Sequence, residues 1–246
     1  MSAKIRKKIF IYNQLSSEGH LPSSFSIVEI LISIFEAEGC NPDPTWLPRL
    51  ILSKGHASFA YYGFLASIGI MTEEEEESIC KNGSKLYGHL PHIIGDNRFT
   101  FGSGSLGHGL PYAIGKSFGD HTDKKYYCIV GDGEANEGTF WESLLLFEKF
   151  QSNLSIIIDC NKSSERAIPI DSKIRKIHHI FPFLNSHEVN GHDIKKLSSL
   201  LLRSGPQLLI CDTVKGFPFK EMIDSPMWHH KTPSILELKK FMDDLA

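Results

Sequence analysis

This chain is poor in the features that mark unusual environments. Its five cysteines (40, 80, 128, 160 and 211) are odd in number, lie far apart and form no Cys-x-x-Cys. That excludes a disulfide framework and a thiolate zinc site, and predicts reduced thiols in the core of a cytoplasmic protein. Neither sign of charge prevails: a net charge of -3 gives no footing for binding nucleic acid or a membrane surface. No apolar run is long enough to span a bilayer, and the basic start, Ser2 to Lys8, leads through Ile9-Phe10-Ile11 straight into polar residues rather than a signal peptide. Repeats, low-complexity tracts and linkers are absent as well. With 41% hydrophobic and 22% charged residues over 246 positions, the expectation is one α/β domain over 1–246.

What is present centres on Ile129-Val130-Gly131-Asp132-Gly133-Glu134. Tyr126 to Val130 reads as a buried strand ending on a glycine turn that lets backbone approach a ligand closely. A helical pattern follows from Thr139 to Phe150, and Asn153 to Asp159 reads as a second buried strand. In such a strand–helix–strand unit both strand ends lie on one edge of a parallel sheet, where open α/β sheets bind ligands. Asp132 and Asn161 therefore offer two oxygens to one cation, with the Ser163 carbonyl as a third. Oxygen donors with a single carboxylate suit Mg²⁺ or Ca²⁺ completed by phosphate and water. The plain alternative is a turn aspartate and a strand-end asparagine.

Around this unit the pattern predicts helices over 3–17, 25–37 (capped by Ser24), from Ala57 to about Ile70, over 109–118, from Asp193 to Leu202, and from Ser234 to Leu245. Leu50 to Leu52 and Pro206 to Thr213 read as strands, and His187 to Asp193 as a turn. Thr72 and Glu75 form a capping box that opens a helix over five consecutive glutamates, a solvated helix start. Residues 83–106 form a long loop, a length usually tied to function.

Gly102-x-Gly104-x-x-Gly107 matches the dinucleotide pattern G-x-G-x-x-G, but no buried strand precedes it and no acidic residue follows at the required place. A glycine loop approaching another flat ligand fits better. His20, His56, His89, His108 and His229 all lie beside glycine or proline or in loops, as expected of an active-site rim. None has helix-borne zinc spacing. Lys215 follows a strand and can donate to a phosphate. No nucleophile elbow occurs.

Taken in order, Glu18-Gly19-His20-Leu21-Pro22-Ser23, Leu52-Ser53-Lys54-Gly55-His56, Gly88-His89-Leu90-Pro91, Gly104-Ser105-Leu106-Gly107-His108-Gly109, Gly131-Asp132-Gly133 with Asn161, and Trp228-His229 resemble the motifs of the diphosphate-binding domain of transketolase, over about residues 10–235. The resemblance implies a three-layer, doubly wound, mostly parallel thiamine-diphosphate-binding fold. It implies Mg²⁺ on Asp132, Asn161 and the Ser163 carbonyl. It further implies the diphosphate on Ser23, His56, Gly133, Asn161 and Lys215, with Gly104, Ser105 and Leu106 at the cofactor's rings and His229 beside it. His20, His89 and His229 would line the sugar channel as catalytic residues, and Glu137 would stand at a subunit interface near the cofactor-activating carboxylate.

Two departures shape the expectation. Ser163-Ser164-Glu165 is more polar than the family's usual apolar segment, and His108 replaces a usual glutamine. The pyrimidine-binding and C-terminal domains are expected on a separate chain, giving a split transketolase of α₂β₂ type that transfers a two-carbon ketol unit from a ketose to an aldehyde. The alternatives are the α chain of a 2-oxoacid-decarboxylating thiamine-diphosphate enzyme, against which His20, His56 and His229 argue, and a non-catalytic half-enzyme acting as a binding module.

Overall fold

A computed structural model describes residues 1–17, 20–162, 169–223, 225–229 and 231–245. Five strands form one sheet: β1 (Leu50–Leu52), β2 (Tyr126–Gly131), β3 (Leu154–Cys160), β4 (Asn185–Asn190) and β5 (Gln207–Asp212), in the order β1-β2-β3-β5-β4. Every pairing is parallel. The central strands are continuous apolar runs because both faces are covered.

Alternate side chains enter opposite cores. Leu52, Tyr127, Ile129, Ile157 and Leu209 pack with helices α1 (Ser2–Ser16), α3 (Val28–Ala37), α4 (Ser58–Ser67), α10 (Ile194–Leu201) and α11 (Ile235–Asp244). Ile51, Cys128, Val130, Ile156, Ile158 and Ile210 pack with α6 (Gly109–Gly119), α7 (Gly138–Lys149), α8 (Asp171–Ile174) and α9 (Ile177–Ile180). The result is the expected three-layer, doubly wound sheet.

Three local expectations are corrected. Asn185–Asn190 is a strand, not part of a turn; it runs along the sheet edge with only Val189 buried, so its sequence lacks an apolar run. The helix expected over 25–37 is two, α2 (Leu21–Phe25) and α3, and Ile27 rather than Ser24 precedes α3. Of the cysteines, Cys128, Cys160 and Cys211 are buried, but Cys40 is exposed and Cys80 half-buried; none of the five forms a disulfide. The Thr72–Glu75 capping box is present, opening α5 (Glu73–Ser78), and Asp193 caps α10 through the Lys196 N–H at 3.0 Å. Among the described residues no helix is long and apolar enough to cross a membrane.

Candidate active site

Parallel strands discharge their chains at one edge, and that edge carries the site. β1 ends in Ser53-Lys54-Gly55-His56, β2 in Asp132-Gly133-Glu134, β3 in Asn161 and β5 in Thr213, shortly before Lys215. The Asp132 N–H donates to the Asp159 carbonyl at 3.2 Å, extending the β2–β3 ladder into the turn. With His20 and Ser23 from α2 and the residue before it, and His89 and Leu106 from the long loop, Lys54, His56, Asp132, Gly133, Glu134, Asn161 and Lys215 line a cleft of about 300 Å³.

The cleft floor is a buried ion pair. Lys54, 1% exposed, donates to Asp159, to Ser26 Oγ at 3.1 Å and to the Ser23 carbonyl at 3.1 Å. Asp159 also accepts from Ser26 Oγ at 2.7 Å, from Thr213 and from Asn161 Nδ2 at 3.0 Å. Burial alone would raise the Asp159 carboxyl; Lys54 and the hydroxyl donors outweigh it and hold it below the usual carboxylate range. The Asn161 amide nitrogen is thus committed to Asp159, and its oxygen is the atom the side chain can offer a cation. Asp132 Oδ1 accepts from the Gly133 N–H at 2.7 Å, fixing the carboxylate at the lip of the floor.

Glu134 joins the glycine loop to this turn. Its buried carboxylate accepts from Ser53, from the Gly107 N–H at 2.8 Å and from the Gly131 N–H at 3.2 Å. Burial still raises its pKa. Ser53 in turn accepts the Gly109 N–H at 3.1 Å. A Cβ at Gly109 would lie 2.2 Å from Ser53 Oγ, and Gly107 sits at φ +82, so both glycines are required by position.

Three histidines face one another. The His20 ring lies 5.3 Å from His56 and 6.3 Å from His89, both edge-on. Burial, and then the nearby Lys54, His20, His89 and Lys215, push His56 down to about 2. His56 is therefore a neutral imidazole that presents one N–H and one lone pair rather than a charge.

The structure brings His20, Ser23, His56, His89, Leu106, Asp132, Gly133, Asn161 and Lys215 together. Gly104 and Ser105 are exposed on the adjoining loop. Glu137 is exposed outside the cleft, preceding α7 and packed beside Gly107. His229 ends a short turn, Pro226–His229, whose Trp228 packs on Phe241 at 5.6 Å. Ser163 lies outside the described residues, and His108 is exposed at the start of α6. Lys54, Asp159 and Glu134 were not singled out from sequence. Their only sequence signal is polarity inside or just after an apolar strand.

Residues 11–232 match the family described as transketolase, thiamine diphosphate binding domain. The chain belongs to this transketolase family. It is 32% identical to one of the subunits of the apulose-4-phosphate transketolase of Actinobacillus succinogenes, over 98% of this chain and 93% of that one. The corresponding apulose-4-phosphate transketolase subunit of Phocaeicola vulgatus is 28% identical over 100% of this chain and 92% of its own length. The transketolase of Leishmania mexicana superposes with a TM-score of 0.79 at 20% identity, covering 99% of this chain but 40% of that one. The chain thus spans nearly all of two transketolase relatives and under half of a third.

The cleft fits the cofactor of this transketolase family. Asp132 and Asn161 give the hard-oxygen donor set of Mg²⁺ or Ca²⁺. Nothing stands within 4 Å of a Cβ built at Gly133 or Gly104, which leaves their backbone open to close approach. Among the described residues no group of three His, Cys, Asp or Glu is placed to hold a metal.

Proposed function

We propose that this chain is the N-terminal, diphosphate-binding subunit of a two-chain transketolase that moves a two-carbon ketol unit from a ketose phosphate to an aldehyde. The observation that carries this reading is the convergence of Asp132, Gly133, Asn161, His56 and Lys215 on one cleft. The two apulose-4-phosphate transketolase relatives, themselves single subunits and matched over nearly their whole length, support the division into two chains. Their name makes apulose 4-phosphate the first ketose to test.

In this reading Mg²⁺ (or Ca²⁺) sits on Asp132, Asn161 and the Ser163 carbonyl. Ser23, His56, Gly133, Asn161 and Lys215 hold the diphosphate, and backbone at Gly104, Ser105 and Leu106 meets the rings. Bound thiamine diphosphate supplies the carbanion chemistry. The chain's own residues bind and orient. Lys215 and the cation oppose phosphate charge, and neutral His56 donates a single N–H. His20, His89 and His229 exchange protons with substrate hydroxyl oxygens. Glu137 stands at the interface of a cytoplasmic α₂β₂ assembly. There the second chain brings the pyrimidine-binding and C-terminal domains.

The test is calorimetric titration of thiamine diphosphate with Mg²⁺ into this chain, alone and mixed with a C-terminal transketolase subunit. Binding and ketol transfer in the mixture, both lost in Asp132→Ala, are expected. Absence of binding in the wild-type mixture sinks the catalytic reading. Carbon dioxide released from a 2-oxoacid in place of ketol transfer moves the chain to the decarboxylating class.

A further inference from the structure

Lys215 reaches the cleft from the loop after β5, and that loop is gripped from beneath by Arg6 and His192, which Glu29 joins; none of the three lines the cleft. Arg6 of α1 forms a two-pronged bond to Glu29 of α3, at 2.7 and 2.9 Å, with both side chains buried. Glu29 Oε2 lies 3.0 Å from His192 Nδ1. His192 Nε2 lies 3.0 Å from the Val214 N–H. A backbone N–H only donates, so Nε2 is the accepting nitrogen and Nδ1 carries the proton given to Glu29. Arg6 Nε donates to the Phe217 carbonyl at 3.2 Å. The Phe217 ring lies 4.1 Å from that of His192, tilted by 30°, and 5.4 Å from the Arg6 guanidinium. The Gly216 N–H donates to the Pro22 carbonyl at 3.1 Å.

The loop is thereby held at Val214, Gly216 and Phe217, on both sides of Lys215. Lys215 stands in the cleft, while Arg6, Glu29 and His192 are absent from its lining. A lysine on a four-carbon stem loses rotamer freedom when it binds phosphate, so a fixed backbone beneath it improves affinity. We infer that Arg6, Glu29 and His192 form a relay of positioning residues that holds the backbone of Lys215 in register with the diphosphate, His192 being the member that touches the loop amide. The inference rests on the proposed role of Lys215.

The measurement is thiamine diphosphate affinity, by titration in the presence of Mg²⁺, in whichever form binds cofactor, the full chain alone or with its partner subunit. Outer-sphere partners of this kind change affinity by roughly ten- to a hundredfold. His192→Ala is expected to weaken binding about tenfold. His192→Gln, whose amide oxygen reaches the Nε2 position, restores most of that loss; His192→Asn, which reaches only Glu29, does not. In a Lys215→Met background His192→Ala costs less than about twofold further, because coupled residues are not additive. An equal loss in both backgrounds, or equal behaviour of the Gln and Asn variants with melting temperatures intact, overturns the relay. Should His192→Ala fail to fold, the Gln-against-Asn comparison decides. Wild-type affinity in Lys215→Met instead removes the role of Lys215 itself, and the relay with it.

Discussion

At the residue scale the site depends on which side chains carry charge. His56 has its pKa depressed from 6.5 to about 2. A depressed histidine binds protons more readily in the unfolded chain, so stability falls as pH drops below 6.5 and continues falling towards 2. In the cofactor-free chain, the His56 ring resonances should stay those of the neutral form down to about pH 4 by NMR; a midpoint between 6 and 7 would refute the neutral assignment. His56, Asp132 and Asn161 were legible in sequence because each sits where glycine or a strand end marks a ligand edge. Glu134 and Asp159 were not, because their partners Ser53, Gly107, Lys54 and Thr213 come from elsewhere in the chain. His192 read as a turn residue for the same reason: Glu29 and Val214 reach it only through folding.

At the element scale the loops are interlocked as tightly as the strands. A Cβ at Gly55 would lie 1.8 Å from Ser103 Oγ and 2.2 Å from its Cβ, with the Ser103 backbone 3.5 Å away. Gly55→Ala should therefore cost about 1–3 kcal/mol, the usual penalty of overpacking. Ser103→Gly should recover much of it, since the clash is with side chain. Paired denaturation curves check this; a single-mutant loss that Ser103→Gly leaves untouched would put the strain elsewhere. The central strands were readable because apolar runs of Ile, Leu and Val have few other uses. β4 was not: Asn185-Ser186-His187-Glu188-Val189-Asn190 has a single buried apolar residue, and its strand character comes from pairing with β5. The α2–α3 break is hidden in the sequence because Phe25, Val28, Ile32 and Phe35 keep a helical apolar spacing across the non-helical Ile27.

For the whole molecule, one buried salt bridge, Arg6–Glu29, ties α1 to α3, and Arg6 reaches on to the loop that carries Lys215. Burial raises the Glu29 carboxyl, but the bonds from His192 and Arg6 outweigh it and bring it from 4.5 to about 2. A depressed carboxylate contributes stability that is fully present above pH 4.5 and is lost as pH falls towards 2. The shift corresponds to roughly 3 kcal/mol. Glu29→Gln should lower stability at neutral pH by about 3–5 kcal/mol, leaving Arg6 buried without its partner. It should also flatten the loss between pH 4.5 and 2, as read from urea midpoints across pH; an unchanged slope would mean that other carboxylates govern acid unfolding.

The bond from Arg6 to the Phe217 carbonyl closes a sequence separation of 211 residues. During synthesis α1 leaves the ribosome long before its partner loop exists, and Lys215 arrives after every strand of the sheet has been made. A nascent chain therefore completes its sheet before the loop that carries Lys215 can be tied to α1.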